Sequence, residues 1–113
     1  MSRAYASTPY VQLLACLRLR PRVDAARLAL LRRREVEPAL PAGPVHAAIV
    51  IELVHDARRV FSRERYGNAL LPPQRSATAT QLLASLAEIE IALDAFETRH
   101  APTDDDIDAG DPF

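Results

Sequence analysis

Between Ala79 and Phe96 the apolar residues Ala79, Leu82, Leu86, Ile89, Leu93 and Phe96 recur at alternating intervals of three and four. At ~100° per residue that spacing lays all six along one stripe of an α-helix. A strand alternates its side chains with a period of two and would scatter the same residues over both faces. Thr78 and Gln81, spaced as a capping box, mark where this helix begins. A stripe of this length must be covered, so the rest of the chain has to supply further apolar helical faces.

The composition supports helices as the cover. The chain has 113 residues, enough for one domain with a modest core. Apolar residues make up 49% but aromatics only 5%, so Leu, Ala, Val and Ile must fill the interior. Three glycines and no Asn-Gly pair leave little turn chemistry for a sheet.

Thr8-Pro9 reads as a helix start. Tyr10, Leu13, Leu14 and Leu17 then share a face, and Pro21 is expected to end or sharply kink the helix. A second helix is expected over about 21–37. Val23, Ala26, Leu30 and Leu31 form its apolar side, and Arg32, Arg33 and Arg34 lie near its C-terminus, where cations suit the helix dipole. The segment "PALPAGP", residues 38–44, is a connector. A third helix is expected over about 44–66, capped by Gly67, with Ile49, Val50, Leu53, Val54, Ala57, Val60 and Phe61 as its buried stripe.

The expected fold is therefore all-α. Helices 44–66 and 78–100 form an antiparallel hairpin, and two shorter helices, 9–20 and 21–37, cover it. Residues 1–100 form the helical domain, and 101–113 are expected to be a flexible, disordered acidic tail. Ile51 and Ile91 fall away from their helices' core stripes and suggest a self-association face for a homodimer.

Chemical motifs are sparse. Every basic residue is Arg, so neither a Schiff-base Lys nor a phosphate-loop Lys can exist in this sequence. Ser62, Ser76 and Ser85 have no evident His partner, and no glycine-rich phosphate cradle occurs. Two Glu-x-x-His pairs, Glu52–His55 and Glu97–His100, have the spacing of half a di-iron site. In the expected fold Glu52 and His55 point away from the core, and the first helix offers no Glu. The reading is a non-enzymatic protein with no metal and no cofactor. Cys16 stands alone in an apolar run, which fits a buried thiol in a reducing compartment. No stretch approaches the ~20 apolar residues of a membrane span, so the expectation is a soluble cytoplasmic protein without membrane contact.

Charge is segregated along the chain. Residues 1–37 carry net +5, residues 38–75 net +2, and residues 76–113 net −8, for a total of −1. Arg58, Arg59, Arg63 and Arg65, with Arg32, Arg33 and Arg34 beside them, could form a face that holds nucleic-acid phosphates without reading sequence, or holds the acidic tail itself.

The most specific segment is the last, "TDDDIDAGDPF". Asp104, Asp105, Asp106, Ile107, Pro112 and Phe113 resemble the acidic tip of bacterial single-stranded-DNA-binding proteins, a run of aspartates with an isoleucine and a closing Pro-Phe. In that family the isoleucine directly precedes Pro-Phe, whereas here residues 108–111 intervene. The resemblance is confined to the tail, since the helical body is unlike that family's β-barrel. It implies a peptide that docks onto DNA replication and repair enzymes. The Phe113 ring would fill an apolar pocket, its terminal carboxylate would meet a basic rim, and the aspartates would steer the approach. The function expected first is a helical adaptor that recruits a protein partner through this tail. The alternatives are a helical regulatory module (antitoxin, immunity protein or assembly chaperone) acting through its helical faces, and a weak nucleic-acid binder.

Overall fold

The stripe from Ala79 to Phe96 is buried along its whole length, each of its six residues at 0% exposure. The structure is a computed structural model and describes residues 9–100. Four helices follow in order: α1, Pro9–Val36; α2, Pro44–Val60; α3, Arg65–Ala69; and α4, Ala79–His100. Among the described residues the only sheet-like pairing is an isolated bridge between Pro41 and Thr78. The expected capping box starts α4. The Gln81 amide donates to Thr78 Oγ1 at 3.2 Å, and the Thr78 amide donates to Gln81 Oε1 at 2.9 Å.

Helical content is as expected, but three elements differ from the sequence reading. First, residues 9–20 and 21–37 are not two helices. α1 runs unbroken through Pro21. The reason is the register of the buried residues: Cys16, Leu19, Val23 and Leu30 are buried and Ala26 is partly buried against them. That set alternates three and four straight across the proline. Pro21 is exposed and lies on the opposite side of the helix, so its ring meets solvent and the unserved Leu17 carbonyl faces water. Of the face read from Tyr10, Leu13, Leu14 and Leu17, only Leu13 packs against the core: Tyr10 is 70% and Leu17 65% exposed.

Second, α2 and α4 are not an antiparallel hairpin; they run parallel. Beside the start of both, the Ala42 amide donates to the Ala77 carbonyl at 3.0 Å. Beyond the end of α2, the Phe61 and Phe96 rings lie 5.4 Å apart and Arg99 pairs with Glu64 at 3.2 Å. Parallel neighbours need a crossover, and residues 61–78 provide it. α2 therefore stops at Val60 rather than near residue 66, and Phe61 turns into the core. Arg58 Nη1 holds the crossover by donating to the Leu70 carbonyl at 2.6 Å, and Leu70 and Ala77 are buried beneath it.

Third, α1 is the element that runs antiparallel to both partners. Gln12 Nε2 donates to the Val60 carbonyl at 2.8 Å, near the far end of α2. Arg22 pairs with Asp56 at 2.9 Å, and Arg20 meets Asp94 and Glu97, each at 2.6 Å. Arg27 pairs with Glu90. The core lies between these three helices, and its buried residues are Leu, Val, Ala, Ile, Phe and one Cys. Ile49, expected inside α2's stripe, is 45% exposed because it lies about a quarter turn from the line through Val50, Val54 and Phe61.

Candidate functional site

The arginines expected to form one basic face divide into two groups. Arg32, Arg33 and Arg34 lie at the C-terminal end of α1, next to the start of α2. Arg58, Arg59, Arg63 and Arg65 lie at or beyond the other end of α2. At ~1.5 Å per residue the groups are separated by roughly 25 Å. Several members are also engaged. Arg33 pairs with Glu37 at 3.5 Å, Arg59 pairs with Asp56, and Arg58 serves the crossover. Arg32, Arg34, Arg63 and Arg65 are exposed and make no ion pair among the described residues. The tail residues Asp104, Asp105, Asp106, Ile107, Pro112 and Phe113 lie outside the described residues.

The Glu-x-x-His pairs do not converge. Because α2 and α4 are parallel, His55 and His100 lie at different heights. Glu52 is drawn to Arg22 at 3.4 Å and Glu97 to Arg20. The His100 ring packs on Phe96 at 4.3 Å between centroids. No group of three His, Cys, Asp or Glu among the described residues could hold a metal ion. Ile51 and Ile91 do not share a face either. Ile51 is half-buried near His55 and Arg75, whereas Ile91 is exposed near Tyr66 and Glu88.

Electrostatic perturbations fall where helices meet. Two hydrogen-bonded carboxylates, Glu97 and then Asp94, raise the pKa of Arg20 further above its usual range. Burial first, and the Glu97 charge second, push the Cys16 thiol from 9.0 up to about 11. Such a thiol is a poor nucleophile at neutral pH. Burial, reinforced by Glu64, also raises the pKa of Tyr66.

Among the described residues, two apolar surfaces lie open along α1. One is a groove of about 470 Å³ between α1 and α2. Ala25, Ala26 and Ala29 form one wall, Ala48 and Ile49 the other, and the Arg22–Glu52 pair closes one end. Alanine walls let another backbone approach closely. The second surface is the outer side of α1, where Tyr10, Leu14, Leu17 and Leu28 are 70%, 39%, 65% and 57% exposed. These residues lie directly opposite the buried line Cys16–Leu19–Val23–Ala26–Leu30. The sequence reading grouped the first three with Leu13 on one apolar face; continuing the three-four spacing of the buried line through Pro21 places them opposite it. A groove and a line of protruding side chains are means of binding another surface. In comparisons with known proteins, the chain matches no family model, no curated protein and no solved structure. No helix among the described residues is long and apolar enough to cross a membrane.

Proposed function

We propose that this protein is a non-enzymatic helical adaptor that recruits a partner through its acidic C-terminal segment. The observation that carries the reading is where that segment is attached. Asp104, Asp105 and Asp106 follow the end of α4 within six residues. At ~3.3–3.6 Å per residue they start within reach of the end of the bundle that holds Arg63 and Arg65. Those two arginines have no ion pair among the described residues. Opposite charges so placed can hold the aspartates near the bundle and release them to a more basic partner surface. Ile107, Pro112 and Phe113 supply the apolar contacts, with Phe113 as anchor. The partner class is the one the tail's resemblance implies, an enzyme of DNA replication or repair.

The test is capture of purified candidate partners by the full chain, by a Phe113→Ala variant and by a chain lacking residues 103–113. Both changes are expected to abolish capture while the thermal melt is unchanged. Undiminished capture by both refutes the tail reading. The groove between α1 and α2 favours a second reading, a regulatory module acting through its helical faces; there, charge placed at Ile49 disturbs binding and the tail is dispensable. The separation of the two arginine groups weighs against the nucleic-acid reading, since a continuous phosphate track would meet only one group at a time. If that reading holds, affinity falls steeply with salt and rises when the tail is removed.

A further inference from the structure

The outer face of α1 has a regularity that the core does not use. Tyr10, Leu14, Leu17, Pro21, Asp24 and Leu28 follow one another at intervals of four, three, four, three and four. The order of intervals reads the same in both directions about a point between Leu17 and Pro21. An antiparallel copy of the same helix, laid on this face, therefore brings Leu17 against Pro21, Leu14 against Asp24 and Tyr10 against Leu28. We infer that the protein self-associates through this face, as a two-fold symmetric dimer in which two α1 helices pair antiparallel.

Shape supports a second copy as the occupant. The N-terminal half of the face is bulky, with Tyr10, Leu14 and Leu17 protruding. The C-terminal half is smaller: beside Leu28 it carries Ala25 and Ala29, which lead into the α1–α2 groove. Antiparallel pairing sets the bulky half of each copy against the small half of the other. Such a surface is self-complementary, as a two-fold interface requires. Tyr10 of one copy then lies on Leu28 and beside the alanine wall of the other, twice per dimer.

Area supports it too. From their exposures, Tyr10, Leu14, Leu17 and Leu28 offer roughly 400 Å² per copy, half of the ~800 Å² that each partner buries in a standard interface. The groove walls and flanking side chains add to this, and the interface stays below standard size, as in weak, transient pairs. Charge at the centre is compatible. Arg18 is exposed beside the axis and makes no ion pair among the described residues. The symmetry carries it to the level of the second copy's Arg22–Glu52 pair. Glu52 is 73% exposed there and is held by Arg22 only at 3.4 Å, so it can accept the incoming guanidinium. Asp24 on the stripe loses water opposite Leu14 and limits the affinity.

The experiment is sedimentation equilibrium of the full chain over a range from about 1 µM to 1 mM, with variants on both halves of the face. The wild type is expected to pass from monomer to dimer across that range. Leu17→Glu and Ala25→Glu are each expected to weaken the dimer roughly tenfold or more, with an unchanged far-UV melt because both sites are exposed. Ile91→Glu, on a different face, is expected to leave it unchanged. Orientation is read by mixing Tyr10→Cys and Leu28→Cys chains with a short thiol cross-linker; the mixed pair should link in preference to either chain with itself. A wild type that stays monomeric throughout overturns the inference and leaves the face to a foreign helix. Preferential linking of Tyr10→Cys to itself overturns the antiparallel arrangement. None of these variants touches residues 101–113, so failure here is distinct from failure of the tail reading.

Discussion

Replacing Gly67 by Ala should destabilise the domain, although its helical conformation by itself favours the change. In a helix, Ala is better than Gly by ~1 kcal/mol, so local propensity alone predicts a gain. The tertiary structure reverses the sign. A Cβ on Gly67 would lie 2.0 Å from the Phe61 carbonyl oxygen, 2.5 Å from the Phe61 Cβ and 2.7 Å from its carbonyl carbon. Two of those atoms are backbone, so no rotamer change relieves the clash, and α3 and the Phe61 turn must separate by more than about 1 Å. The turn cannot open cheaply. The Glu64 amide donates to the same Phe61 oxygen at 2.9 Å. The Phe61 ring is fully buried and packs on Tyr66 at 5.6 Å and on Phe96 at 5.4 Å between centroids. Overpacking costs ~1–3 kcal/mol, and displacing a buried Phe costs up to ~3–5 kcal/mol. After the propensity gain, a net loss of about 2–4 kcal/mol is expected, or a fall in Tm of roughly 10–25 °C. Urea and thermal denaturation followed by far-UV circular dichroism measure it, with Asn68→Ala, one residue away and exposed, as the control. A neutral or stabilising Gly67→Ala would refute the close approach of α3 to Phe61, and Gly67 would then be no more than the helix cap expected from the sequence.

Pro21→Ala should stabilise the domain by about 1–3 kcal/mol, because it restores a hydrogen bond inside α1 and relieves a ring in a helix interior; a lower urea midpoint would mean that the helix is broken there. Gly43 sits at φ 110°, ψ 158° with nothing near its missing Cβ, so Gly43→Ala should cost about 1–3 kcal/mol through backbone strain alone, whereas Ala42, at the adjoining position, should accept Gly mainly at the cost of its own burial; an unchanged melt for Gly43→Ala would remove the strain argument. Stability should fall as pH rises from about 9 to about 11, since the unfolded chain releases the Cys16 proton at the lower value and the folded chain holds it to the higher one. Tyr66 shifts in the same direction and adds to the fall. A Cys16→Ala chain should lose part of this dependence in denaturation curves taken across that range, and an identical pH profile would show that the thiol is not desolvated in the fold.

Some of this molecule is local, and there the sequence is decisive. The spacing from Ala79 to Phe96 fixes α4 and its buried side, and Thr78 with Gln81 fixes its start, because period and capping depend only on near neighbours. The fate of Pro21 was also legible, once Cys16, Leu19, Val23, Ala26 and Leu30 are read as one line; a strong local breaker obscured a stronger longer-range pattern. The direction of α2 relative to α4 was not legible. A stripe has the same spacing whether its neighbour runs up or down, so only contacts distant in sequence, such as Ala42 with Ala77 and Phe61 with Phe96, decide between a hairpin and a crossover. The candidate surfaces follow from that choice. Tyr10, Leu14 and Leu17 are as apolar as any core residue, and they face outward because α2 and α4 together cover only the other side of α1. The arginines near residues 33 and 63 have the same charge in any fold; it is the length of α2 between them that keeps them from forming a single face.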